Sequence, residues 1–210
     1  MKRLSVFSLV AVFGVVTGLL SACGSAPRTT VTVYDFGLPA ARLAGAERWS
    51  RLALDVKAPA GFDDLKVDYR LAYDDPLQQR DYAASRWAAN PAVLLAQQLR
   101  QQLGMAGASS GVAVDCQLRV ELQAFSQVFV APGQSHALLQ ANVSLTHKRQ
   151  SLAERSFVIE HAAASADANG GVRALVAASS GLGQQLSEWL TTLETQDKDA
   201  RLKVCQSEKS

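Results

Sequence analysis

Residues 112–123 read Val-Ala-Val-Asp-Cys-Gln-Leu-Arg-Val-Glu-Leu-Gln. Val112, Val114, Cys116, Leu118, Val120 and Leu122 alternate with Ala113, Asp115, Gln117, Arg119, Glu121 and Gln123. A strand sends successive side chains to opposite faces, so this period of two puts one face in a core and the other in water. That is the pattern of an antiparallel sheet covered on one side. Pro132-Gly133 then signals a turn, and Ala137, Leu139, Ala141, Val143 and Leu145 repeat the alternation. Arg155 to His161, with Phe157 and Ile159, supplies a third run, so the pattern predicts a three-strand meander.

Something must cover the apolar face, and two helices are signalled. Asn90 is a good N-cap, Pro91 suits the first helical position, and Gly104 sits where a helix ends. Between them Ala92, Leu95, Ala96, Leu99 and Leu103 form one stripe, with Gln97-Gln98 and Gln101-Gln102 assigned to the polar face. The second helix is predicted over about 172–195, from Val172 through Leu175, Leu182, Leu186, Trp189 and Leu190 to Leu193. Gly181 and Gly183 inside it each cost roughly 1 kcal/mol against Ala, but permit close approach to a sheet. Upstream, strands are expected at Val31–Phe36, at Arg51–Val56 and at the alternating Val67, Tyr69, Leu71 and Tyr73. Residues 37–50 read as loop, and Asp74-Asp75-Pro76 as the turn of a hairpin returning through Leu77–Ala84. The predicted class is α+β, a mostly antiparallel sheet with two amphipathic helices packed on one face.

The chain begins with an address rather than with a fold. Lys2 and Arg3 precede an uncharged apolar run from Leu4 to Leu20, followed by Leu20-Ser21-Ala22-Cys23. This reads as a signal peptide over 1–22. The last four residues resemble a bacterial lipobox, in which Cys23 is lipidated with acyl chains such as palmitate and becomes the mature N-terminus. Residues 23–30 are then the lipidated cysteine and a tether, 31–195 a single α+β domain, and 196–210 a charged tail. Gly24, where Asp would favour inner-membrane retention, points to the periplasmic face of the outer membrane, with the inner membrane as the alternative.

The chain has 210 residues, 21 basic and 19 acidic. Loss of Lys2 and Arg3 with the signal peptide leaves 19 of each, which disfavours a nucleic-acid binder. Three His and two isolated mature Cys offer no metal set, and no nucleotide-binding glycine motif occurs, so no cofactor is expected. His136 and His147, eleven apart, fall on opposite faces of one strand. Asp63-Asp64 and Asp74-Asp75 read as solvated turn acids. Gly107-Ala108-Ser109-Ser110-Gly111 matches the nucleophile elbow G-x-S-x-G, but a helix precedes and a strand follows, the reverse of the required order. A periplasmic hydrolase using Ser109 or Ser110 is therefore an alternative reading, not the main one. An exported chain permits a disulfide, and with Cys23 lipidated the remaining pair is Cys116 and Cys205. Two free thiols are the alternative. Trp87 and Trp189 read as core residues, or as the lining of a groove for a lipid or a partner helix.

One family resemblance collects these features. Tyr34-Asp35-Phe36-Gly37 after the tether, Tyr69-Arg70, Tyr82, Arg86-Trp87, Pro91, Leu94-Leu95, Leu99 and Leu103 occur in order, followed by Leu118–Phe125, Phe157 and Trp189-Leu190. The chain so resembles the ABC-type transport auxiliary lipoproteins, the paraquat-inducible type that accompanies MCE-protein lipid transport. The resemblance implies no catalytic residues. It implies a periplasmic subunit, working with an MCE-domain protein and inner-membrane ABC or permease components, that moves lipids between membranes or keeps the outer membrane intact. A homo-oligomeric ring is also implied. A structural envelope lipoprotein without a transport partner is the remaining alternative.

Overall fold

The computed structural model describes residues 30–38, 41–59, 62, 64–107, 115–197 and 202–206. The signal segment, Cys23, the tether up to residue 29, Asp63, Ser109, Ser110, Val112 and Val114 lie outside the described residues. In chain order the elements are β1 (Thr32–Tyr34), β2 (Ala53–Lys57), β3 (Lys66–Leu71), β4 (Gln79–Trp87), α1 (Pro91–Leu103), β5 (Ala106–Gly107), β6 (Cys116–Ala131), β7 (Gln134–His147), β8 (Gln150–Ala162) and α2 (Ala168–Gln196). The fold is α+β.

The meander forms as the alternation predicts. β6 pairs antiparallel with β7, and β7 with β8, so that Leu122, Ala141 and Phe157 stand in one row across the three strands. All three are buried. Leu118 and Leu145 face each other in the same layer, both fully buried. Each such leucine contributes roughly 1.5–3 kcal/mol relative to an exposed position.

The other edge of β6 carries parallel strands. β2 runs beside its first half, with Leu54 opposite Leu118 and Val56 opposite Val120. β3 runs beside its second half, with Tyr69 opposite Gln127 and Leu71 opposite Phe129. β5 joins β2 in parallel, and β1 joins β4 in parallel beyond the antiparallel β3–β4 hairpin. The long pairings are thus antiparallel and the short ones parallel, which makes the sheet mixed. A parallel pair needs a long connection between its strands, and α1 lies in the connections of the β2–β5, β2–β6 and β3–β6 pairs.

β6 also runs eight residues past Gln123, where the alternation stops in the sequence. A register shift between Leu122 and Ala124 inserts one residue, so the covered side moves from even to odd positions. Phe125, Gln127 and Phe129 then face inward, as Leu118, Val120 and Leu122 do before the shift.

α1 starts where its cap signal lies: the Ala92 amide donates to Asn90 Oδ1 at 2.9 Å, and Gly104 closes the helix at φ +63°. Its glutamines divide differently from the expectation. Gln97 is exposed, whereas Gln98 and Gln102 are buried against α2, so this helix has two covered faces rather than one. α2 is one continuous helix of 29 residues, capped by Asp167, whose carboxylate accepts from the Gly170 amide at 2.8 Å. That bond, reinforced by the Ser165 hydroxyl, holds the Asp167 carboxyl below its ordinary range.

The expected loop at 37–50 contains a 3-10 turn, Ala46–Trp49, that buries Trp49. After α2, residues 202–206 return to the body. The Leu202 amide donates to Asp197 Oδ2 at 2.6 Å, and Leu202 and Cys205 are buried.

Candidate functional site

The segment after β1 turns sharply. The Gly37 amide donates to Asp35 Oδ1 at 2.8 Å, and Gly37 takes φ +77°, a conformation in which a side chain is strained although the space around it is open. The turn sends Phe36 inward and Leu38 outward. Phe36 meets the Trp87 ring edge-on at 5.6 Å and stacks with Phe125 at 6.1 Å. Leu38 is 92% exposed.

Between this segment, α1 and α2 lies a groove of about 500 Å³. Asp35, Phe36 and Leu38 form one wall, Leu94 and Gln98 come from α1, and Val176 and Ser180 from α2. Gln98 Nε2 donates to Ser180 Oγ at 2.6 Å, and the Ser180 hydroxyl donates to the Val176 carbonyl at 3.2 Å. Asp35 brings the one charged side chain among the described lining residues. Apolar walls, amide groups and one carboxylate suit the docking of an amphipathic segment.

The two tryptophans do not line this groove. Trp87 lies behind Phe36 at 1% exposure, and Trp189 packs edge-on against Phe157 at 5.9 Å. Both are core residues, the first of the two readings the sequence offered, and the groove lies one layer outside Trp87. Phe36, Leu94 and the buried Gln98 are the lining residues that the helical pattern alone did not mark.

Two other carriers of the resemblance meet on the β3–β4 hairpin. Tyr69 and Tyr82 contact ring to ring at 4.6 Å. The Tyr82 hydroxyl donates to Gln127 Oε1 at 2.8 Å, and Gln127 Nε2 donates to Ser135 Oγ at 2.7 Å. Gln127 is fully buried, and a Cβ at Gly171 of α2 would collide with its side-chain oxygen. Burial, then the neighbouring Tyr69 and Asp167, pushes the Tyr82 hydroxyl well above its ordinary pKa. On the same hairpin Asp68 is raised to about 6, first by burial and then by Asp64 and Asp81.

The remaining candidates separate. His136 points outward, 3.9 Å from Glu160 Oε1, while His147 stands opposite Cys116 at the far end of β7. No cluster of His, Cys, Asp or Glu able to hold a metal occurs among the described residues. Asp75 Oδ1 accepts from the Leu77 amide and Asp74 pairs with Arg80 at 3.0 Å, so both serve their turn. Cys116 and Cys205 are joined as a disulfide, with Cα atoms 5.4 Å apart. Among the described residues no helix is long and apolar enough to cross a membrane.

Two crystal structures share the fold. Protein XCC0632 from Xanthomonas campestris, assigned to the family model DUF330, superposes with a TM-score of 0.65 at 18% identity, over 80% of this chain and 99% of its own. An uncharacterized protein gives a TM-score of 0.59 at 18% identity, over 77% of this chain and 99% of its own. No curated protein matches the sequence. The family model described as the ABC-type transport auxiliary lipoprotein component matches residues 54–187, from β2 into the last third of α2. The chain therefore belongs to the ABC-type transport auxiliary lipoprotein family, a family of transport-associated lipoproteins.

Proposed function

We propose that this chain is the auxiliary lipoprotein of an ABC/MCE-type lipid transport system, held by Cys23 at the periplasmic face of the outer membrane and supporting outer-membrane integrity. It acts by binding and assembly, not by catalysis. Its partners are an MCE-domain protein and inner-membrane ABC or permease components, and self-association into a ring belongs to the same reading. The observation that carries it is a convergence. The family match runs from β2 into the last third of α2, and residues that carry the sequence resemblance, Leu94 within that match and Asp35, Phe36 and Gly37 upstream of it, meet at one groove. Leu38, almost fully exposed at that groove, is the side chain with most area to gain from a partner.

Affinity capture of the full-length lipoprotein from membranes that also hold the cognate MCE protein tests this. The MCE protein is expected to co-enrich, and Leu38→Asp to reduce the yield without lowering Tm. No enrichment from a membrane containing both proteins overturns the transport reading.

A further inference from the structure

We propose that the turn end of the β7–β8 hairpin is a binding site for a phosphate-type anion. The turn joining these strands is Lys148-Arg149, and both residues have positive φ, 48° and 69°. A two-residue hairpin loop of this hand selects Asn-Gly, because side chains larger than these are disfavoured in the left-handed region. Here two long cations occupy both positions. The Lys148 amide donates to the Asp115 carbonyl at 2.9 Å, but neither cationic side chain forms an ion pair with a described residue.

Both cations line a cavity of about 500 Å³ on the solvent side of the sheet, with Arg119, Gln117, Thr146 and Asp115. Three cations therefore face one carboxylate. Arg119 Nε lies 3.5 Å from Asp55 Oδ2, but Asp55 is shared with Lys57 Nζ at 3.4 Å, so that pairing leaves the excess positive charge unchanged. Two guanidinium forks and an ammonium, beside the amide of Gln117 and the hydroxyl of Thr146, match an anion with several acceptor oxygens in different directions. A phosphate or phosphodiester has that geometry, and guanidinium binds it through paired hydrogen bonds. The volume exceeds a free phosphate and falls in the range of small-molecule sites. A phospholipid headgroup and inorganic phosphate share the required chemistry. The site is remote in sequence from the Asp35–Leu38 groove and does not depend on a transport partner.

The test is calorimetric titration of the full-length protein in neutral detergent with three probes: short-chain phosphatidylglycerol, short-chain phosphatidylcholine and inorganic phosphate. The decisive variant is Lys148→Asn with Arg149→Gly, which removes both cations and supplies the residues that the turn favours. Saturable binding of phosphatidylglycerol, with affinity about tenfold lower in the double variant and Tm equal or higher, is the expected result. Equal binding of inorganic phosphate, lost in the same variant, supports the site with the free anion as its ligand. Binding of phosphatidylglycerol without inorganic phosphate assigns the headgroup. No binding of either anion, equal binding of phosphatidylcholine, or binding untouched by the double variant overturns the proposal.

Discussion

Asp68 is half-buried on β3, with Asp81 directly opposite on β4 and Asp64 nearby. Gln79 Nε2 donates to its carboxylate at 2.7 Å, but burial and the two acids outweigh that bond and raise its pKa from 3.8 to about 6. The folded state thus holds a proton that the unfolded state releases between about pH 4 and pH 6. Stability from this group is full below pH 4 and is lost as pH rises through 6. Asp68→Asn keeps an acceptor for Gln79 and removes the charge. It should leave Tm unchanged at pH 4 and raise stability at pH 8 by about 1 kcal/mol, a figure reduced for solvent screening at this partly exposed site. Thermal melts of both proteins at the two pH values check this, and an equal effect at both would refute the assignment. Nothing in the alternation of Val67, Tyr69 and Leu71 indicated this carboxyl, because its neighbour across the sheet is set by hairpin register.

Gly181 and Gly183 within α2 make opposite predictions although they lie two residues apart. A Cβ at Gly183 would strike the buried Gln102 side chain and press on Leu99 of α1, whereas one at Gly181 would sit 3.4 Å from Ile159 Cγ2, an ordinary contact. Gly181→Ala should stabilise by up to about 1 kcal/mol through helix propensity. Gly183→Ala should destabilise by about 1–2 kcal/mol despite the same gain, because the buried Gln102 side chain must be displaced and Leu99 crowds the same position. Denaturant melts of the two variants read the difference, and equal signs would show that α1 and α2 are not packed through Gly183. The sequence marked both glycines as allowing approach to a sheet; Gly181 does so, and Gly183 instead admits a helix. The meander and both helices were legible because an apolar covered face imposes a period on each, although α1 covers a second, polar face as well. The parallel pairs, the slip of β6 at Gln123 and the burial of Gln98 and Gln102 were not. They depend on which element lies alongside, and a local period carries no record of that. The groove was half legible: Asp35-Phe36-Gly37 stood out as a motif, while the inward turn of Phe36 is fixed by Trp87 and Phe125, each about fifty or more positions away.

At the scale of the whole chain, the proposed anchor and the tail lie at opposite ends of the sequence, and each has its own cysteine chemistry. If Cys23 is the lipid attachment site, Cys23→Ser should abolish palmitate labelling and move the protein out of the membrane fraction; labelling equal to the parent would refute it. Cys205 belongs to a different argument. Cys116 opens β6 on the face that the helices cover, and the chain from Gln196 returns to it with Leu202 and Cys205 both buried. The bond closes a loop with a sequence separation of 89, so it removes a large part of the freedom of the unfolded chain. The chain-entropy model puts this on the order of 4–5 kcal/mol, and measured values are commonly smaller. For a domain of this size the loss corresponds to a Tm lower by on the order of 10 °C in Cys205→Ser. Because both sulfurs are buried, a thiol reagent reaches them only when the tail opens, so the native protein should resist mild reductant that readily cleaves an exposed disulfide. Mass spectrometry of unreduced, alkylated, denatured protein decides the covalent question. A peptide linking Cys116 to Cys205 and a mass two hydrogens below the reduced chain are expected. Two alkylated thiols would mean that the tail is held by Leu202 and Asp197 alone, and Cys205→Ser should then melt with the parent.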